Sequence, residues 1–194
     1  MKYYHFLFVI VTINSFAQNT QEDSKIIRLI ATFDNPIIYT KESLDLSKIK
    51  NLLNSNFLGD SDNHITLNKS EMTLLNNEVK KNRNFIWDKK IVDNSEIIPS
   101  NEIQSYLQKK NIPYEKEFDS VMKTNDSAAV MQLKNRMYLG HTFSKPIFFR
   151  NNKFCIIGYN KGYYGRYDMV SVLLLKKRNG KWQYWAKLYS NHDD

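Results

Sequence analysis

Apolar and polar positions alternate along this chain in two rhythms, and the change between them falls near residue 134. Before it the spacing is helical. Ile26, Ile27, Leu29, Ile30 and Phe33 recur three and four apart, which predicts a short helix, with a strand as the other solution. Pro36-Ile37-Ile38-Tyr39 predicts a short strand. Leu44, Leu46, Ile49, Leu52 and Leu53 predict a second helical stretch, and residues 54–63 (NSNFLGDSDN) a polar loop. Asn68 followed by Glu71 has the form of a capping box. The helix it opens carries Met72, Leu75 and Val79 on one face. It should end near residues 80–82, where Lys80, Lys81 and Arg83 suit the negative end of the helix dipole. Phe85 and Trp87 should dock that helix. Ser100 is placed to cap a helix containing Ile103, Tyr106 and Leu107. Pro113 suits the first turn of another, with Phe118, Val121 and Met122 inward, and Asp126 caps a short turn through Val130 and Leu133.

From Tyr138 the pattern is that of strands. The apolar runs 145–150 and 153–159 are separated by Asn151-Asn152, and Asn tolerates the left-handed backbone of a tight turn. Runs 169–178 and 181–189 are separated by Asn179-Gly180, the strongest short hairpin signal. The last third therefore reads as a four-stranded antiparallel meander. The fold class is α+β, with several short helices packed on one face of a C-terminal antiparallel β-meander. A two-residue loop at Asn179-Gly180 also sets a register. Arg178 faces Lys181, Lys177 faces Trp182, Leu175 faces Tyr184 and Leu174 faces Trp185. The core face then holds Leu173, Leu175, Trp182, Tyr184, Ala186 and Leu188. The other holds Lys176, Arg178, Lys181, Gln183, Trp185, Lys187 and Tyr189, basic and aromatic near the turn.

The N-terminus changes the picture. Lys2, the apolar run from Phe6 to Ile13, and Ser15-Phe16-Ala17 make the three-part pattern of a signal peptide cleaved after Ala17. The run is about half of the ~20 residues a membrane-spanning helix needs. The expected organisation is a signal peptide over 1–17, a flexible leader over 18–24, and one α+β domain over 25–192. That domain is mainly helical over 25–133 and mainly β over 134–192. The expected location is periplasmic or secreted. Hydrophobic residues at 42% and charged ones at 25% mark a globular chain. The single cysteine, Cys155, excludes an internal disulfide and every multi-cysteine metal site.

Charge is unevenly placed. Residues 18–133 hold 15 Lys and Arg against 17 Asp and Glu, whereas residues 134–189 hold 12 against Asp168 alone. The excess positive charge thus sits on the sheet region, among its aromatic residues. A face of that kind suits an anionic polymer, whether acidic polysaccharide, lipopolysaccharide or nucleic acid. A merely solvated basic surface is the plainer reading. The candidate ligand residues are Lys176, Arg178, Lys181, Trp185, Lys187 and Tyr189 on the hairpin. Tyr163, Tyr164 and Arg166 join them from the glycine-rich GYNKGYYG loop, expected beside it.

Catalytic signatures are missing. The chain has no G-x-S-x-G, P-loop, dinucleotide glycine pattern or H-E-x-x-H. His64, His141 and His192 have no second ligand at helical spacing, so neither a metal nor a cofactor is indicated. Cys155 with His141 is a conceivable thiolate pair, but Cys155 lies in an apolar strand and reads as a buried structural residue. Glu71 and Glu78 share a helical face without pointing to a substrate.

Two stretches, ITLNKSEMTLLNNEVKKNRNFIWDKKIVDNSEIIP and SKPIFFRNNKFCIIGYNKGYYGRYDMVSVLLLKKRNGKWQYW, resemble a group of small exported bacterial proteins with no assigned function. The shared pattern is Glu71 with Trp87, then Ser144, Pro146, Ile147 and Phe148. It continues through Leu175, Lys177, Asn179, Gly180, Lys181 and Trp182. Relatives often carry a cysteine pair around the glycine loop, where this chain has Tyr163, Tyr164 and Gly165. The resemblance implies no activity. The reading that follows is an exported binding module rather than a catalyst. The alternatives are a hydrolase or transferase with a site between helices and sheet, and a protein-interaction or inhibitor module working through a sheet edge.

Overall fold

In the computed structural model the described residues are 20–32, 36–49, 51–53, 55–88, 90–124, 126–134, 136–163 and 166–190, with backbone alone at 134, 163 and 166–169. The expected signal peptide, its cleavage point, Tyr164 and the tail beyond 190 lie outside them. Along the chain the elements are helix α1 over 20–30, β1 (Ile37–Thr40), β2 (Phe57–Gly59), β3 (His64–Thr66) and α2 (Lys69–Lys81). There follow β4 (Ser95–Ile98), α3 (Ile103–Met122), α4 (Ser127–Lys134), β5 (Gly140–Phe143), β6 (Ile147–Phe149), β7 (Phe154–Tyr163), β8 (Arg166–Arg178) and β9 (Lys181–Ser190).

The expected meander is present as β6–β7–β8–β9, and the fold is α+β. It is part of a larger, mixed sheet in the order β4-β1-β5-β7-β8-β9, with β6 also on β7. Strand β1 lies parallel to both β4 and β5. Strand β7 is the spine: its first residues pair with β6 and its last with β5. Between β5 and β6, Pro146 has no N–H to give, and the ladder continues through a side chain. Ser144 Oγ accepts the Gly158 N–H at 2.8 Å, while the Ser144 N–H donates to the Gly158 carbonyl at 2.8 Å.

Both sheet faces are covered. On one, Cys155, Ile157, Leu173, Leu175 and Trp182 pack with Ile26, Ile27 and Ala31 from α1, and with Tyr39, Trp87 and Phe143. On the other, Phe154, Ile156, Val172, Leu174 and Ala186 meet Leu75 of α2 and Leu58 and Ile65 of the β2–β3 hairpin. Helix α3 joins this second side, where a Cβ added at Gly140 would strike Leu107 and Ile103. Each fully buried Leu, Ile or Phe contributes about 1.5–3 kcal/mol, far more than local propensity does.

That difference explains where the sequence pattern misleads. The stretch Leu44–Leu53 is not a helix but a short 3-10 turn at Leu46–Lys48, capped by the Asp45 carboxylate. Leu44 and Leu46 lie over Gly158, the Leu44 N–H is tied to the Phe143 carbonyl at 3.1 Å, and Asn51 turns left-handed at φ 65°. The expected polar loop at 54–63 contains β2, whose Leu58 points inward. Pro113 does not open a helix but lies inside α3. The carbonyl left without its N–H partner there belongs to Lys109, an exposed residue. Ser100 does not cap α3; its N–H and hydroxyl go to Glu42 at 2.7 and 2.6 Å. The capping box at Asn68 and Glu71 forms as expected, and so does the Asp126 cap, which accepts from the N–H groups of Ala128 and Ala129.

Candidate functional site

Asn179 and Gly180 adopt φ 49° and 75°, the left-handed pair a two-residue hairpin requires. Near the turn the expected register holds: Arg178 pairs with Lys181, Lys177 with Trp182 and Leu175 with Tyr184. Two bulges in β9 then shift it. Leu174 faces Ala186 instead of Trp185, and Leu173 faces Lys187 while Val172 faces Tyr189. Trp185 and Leu188 are the extra residues. Each bulge moves the following side chains to the opposite face. Ala186 therefore packs with Leu174 on the α2 side, not with Trp182, and Leu188 is on that side too. Tyr184, expected in the core, is 55% exposed.

Trp182 is buried as expected. Its indole N–H donates to Glu22 Oε2 at 2.6 Å, and its ring lies 5.7 Å from that of Phe148. Glu22 also takes Lys177 at 2.6 Å and Lys25 at 2.8 Å. Its neighbour Asp23 takes Lys145, whose ammonium lies over the rings of Phe85 and Trp87. Burial works to raise the Glu22 carboxyl, but the donors from Lys177, Lys25 and Trp182 outweigh it and hold it at about 2. Burial raises Asp23, against the pull of Lys145. The polar stretch expected to be a loose leader thus supplies two buried anchors of α1.

The opposite face of the hairpin carries the basic and aromatic group. Lys176 Nζ lies 3.8 Å from the centre of the Trp185 ring and 5.5 Å from that of Phe154. The Arg178 guanidinium lies 4.9 Å from the Trp185 ring. Cations at these distances bind a ring face by about 0.5–2 kcal/mol each, so they are held without being neutralised. Lys181 pairs with Arg178 at the turn, and the Lys153 carbonyl accepts the Lys177 N–H at 2.8 Å. None of Lys153, Lys176, Arg178 and Lys181 makes an ion pair with a carboxylate among the described residues. Arg150, by contrast, is spent on the fold. Its guanidinium bonds both Glu71 oxygens at 2.6 and 3.0 Å and the Thr66 carbonyl at 2.6 Å. Those bonds hold a backbone at φ 51° that Arg rarely adopts.

The structure does not gather every expected residue here. Lys187 sits opposite Leu173, on the α1 side. Tyr189 pairs with Val172, four residues down β8 from Lys176, or about 13 Å at ~3.3 Å per residue. Tyr163 and Arg166 pair with each other at the far end of β7 and β8, roughly 30 Å from the Phe154–Lys176 pair. The glycine-rich segment is therefore not beside the basic hairpin; successive turns of a meander lie at opposite ends of its strands. Lys153 was not singled out by the sequence, although its place in the turn before β7 puts it at the same sheet end as Asn179-Gly180.

Cys155 is fully buried, and burial pushes its thiol well up. It lies six residues along β7 from the strand partner of His141, about 20 Å away, so the two form no catalytic pair. Among the described residues no group of three His, Cys, Asp or Glu converges as a metal site. None of the helices described is long and apolar enough to cross a membrane. A second feature lies toward the other end of the sheet: a cleft of about 400 Å3 where the segment before and through the 3-10 turn crosses β5, β8 and β9. It holds two carboxylates, Glu42 and Asp45, and one ammonium, Lys48. Hydrogen bonds from Ser100 keep the Glu42 carboxyl below the usual range despite its partial desolvation, so it is an acceptor there, not a proton donor. No family model, curated protein or solved structure matches the chain.

Proposed function

We propose that the protein is an exported binding module, not a catalyst, and that its basic sheet end takes an anionic polymer. Acidic polysaccharide, lipopolysaccharide and nucleic acid share the needed chemistry. The observation that carries this reading is the division among the cations. Lys145, Lys177 and Arg150 are neutralised by Asp23, Glu22 and Glu71, and serve the fold. Lys153, Lys176, Arg178 and Lys181 have no such partner among the described residues, and Lys176 and Arg178 lie over the ring of Trp185. The signal-peptide pattern of the first 17 residues and the likeness to small exported bacterial proteins support the location in this reading.

The test is retention on heparin and titration with single-stranded nucleic acid at about 50 and 200 mM salt. Four contacts, each contributing a salt slope of about 0.7, give an affinity loss of about 50-fold over that range. Joint replacement of Lys176, Arg178 and Lys181 by Gln leaves one contact and a slope below 1. Absence of binding at 50 mM refutes the reading. Binding that survives the triple replacement refutes the place.

A further inference from the structure

The basic sheet end holds its aromatic rings in a way that separates the polyanions named above. Single-stranded nucleic acid is gripped through its phosphates and by stacking its bases on exposed rings. The rings beside these cations are not open to a base. Trp185 packs against the α2-side core, and the Lys176 ammonium, 3.8 Å from the ring centre, occupies the position a stacked base would take. The Arg178 guanidinium lies over the same ring at 4.9 Å. Phe154 is buried, and Lys176 and Arg150 lie over it at 5.5 and 5.7 Å. Tyr184 is exposed, but it faces Leu175 on the α1 side. The rings on the basic face therefore hold cations in place rather than offering a stacking surface.

A neutral group stands among the same cations. Gln183 lies directly opposite Lys176 and two residues from Lys181, so its exposed side chain shares their face. Its amide has no hydrogen-bond partner among the described residues. An amide donates and accepts at once, as a hydroxyl does, and the two pair well. An amide flanked by ammonium and guanidinium groups therefore suits a chain that carries acid groups and hydroxyls side by side. Uronic acids and sulfated sugars are built so. The DNA backbone carries phosphates without a hydroxyl inside the chain, and a single strand of RNA, which has one at each 2′ position, also carries bases that call for a ring.

We propose that the polyanion taken by this sheet end is an acidic polysaccharide. Lys153, Lys176, Arg178 and Lys181 meet its carboxylate or sulfate groups, and Gln183 bonds a hydroxyl between them. The proposal rests on the polyanion reading and narrows it to a saccharide chain recognised by charge and hydroxyl contacts, without stacking.

Isothermal titration of the purified protein tests it at about 50 and 200 mM salt, with heparin and alginate oligomers, a deoxyadenylate strand and an abasic strand, each about ten units long. The two strands should bind equally within about twofold, whereas stacking a single base would favour the base-bearing strand by about fivefold or more. Gln183→Ala should weaken both glycans about fivefold while leaving the salt slope, and the binding of the abasic strand, unchanged. The position is exposed, so the fold is not at stake. Lipopolysaccharide and its lipid-free polysaccharide should bind alike, because every contact named is polar; binding that needs the lipid overturns the proposal. A base-bearing strand bound about fivefold tighter than the abasic one assigns the end to nucleic acid and overturns it. So does binding of the strands without the glycans, or glycan binding untouched by Gln183→Ala. In each of those cases the polyanion reading stands. Absence of binding by every oligomer at about 50 mM overturns both.

Discussion

Replacing Glu22 by Gln removes one negative charge from between Lys177 and Lys25 while keeping an acceptor for the Trp182 N–H. The folded carboxyl sits at about 2, against an ordinary 4.5. At about 1.4 kcal/mol per pH unit, that gap corresponds to about 3 kcal/mol of stabilisation in the ionised state. The same figure follows from mutational experience, in which removing one partner of a buried ion pair costs about 3–5 kcal/mol. Because the folded value lies below the unfolded one, the stabilisation is complete above about pH 4.5 and is lost as pH falls towards 2. Urea unfolding followed by tryptophan fluorescence reads it directly. With a urea slope of about 2 kcal/mol/M, Glu22→Gln should lower the midpoint by about 1.5 M at pH 7, and by much less at pH 3. Asp23 supplies a control of opposite slope. Its carboxyl is raised by burial, so its contribution is lost as pH rises, and Asp23→Asn should gain on the wild type between acid and neutral pH. A Glu22→Gln midpoint within about 0.3 M of wild type at pH 7, or a deficit equal at pH 7 and pH 3, would show that α1 is not held by this charge.

Trp182→Ala should cost about 3–5 kcal/mol, because it empties a buried site and strips a donor from Glu22, whereas the half-buried Trp185 should cost clearly less; urea midpoints of the two variants decide, and the reverse order refutes the hairpin register. Purified from its exporting host, the chain should have the intact mass of a protein starting at Gln18, and retention of Met1 refutes the signal-peptide reading.

What the sequence discloses here is local. The Asn68 capping box and the Asn179-Gly180 hairpin depend on residues within three or four positions of each other, and both are found as read. The parallel pairing of β1 with β4 and β5 joins residues more than fifty positions apart, and no short-range pattern announces it. Strand β4, with the sequence SEII, has one apolar pair and gains its place only from β1. The bulges at Trp185 and Leu188 replace strict alternation with a pattern that still looks alternating, which is why alternation alone places Ala186 and Lys187 on the wrong faces. Part of the candidate site was nonetheless visible, since Lys176, Arg178, Lys181 and Trp185 all lie before or at the first bulge. Lys153 gives no signal of its own; it acquires meaning from the turn beside it.

The same two bulges bear on how the molecule behaves at high concentration. Strand β9 is the outermost strand of its side of the sheet, and ten residues of outer strand would ordinarily offer a template for a second chain. Here the template is spoiled twice over. The bulges interrupt the regular spacing of outward N–H and C=O groups at Trp185 and Leu188. Lys181 and Lys187, both exposed, add like charges that an incoming copy of the same strand would have to face. The feature that turns Ala186 into the core therefore also serves as a guard against fibrous self-association, and straightening it by deleting Trp185 would trade a bulged edge for an adhesive one.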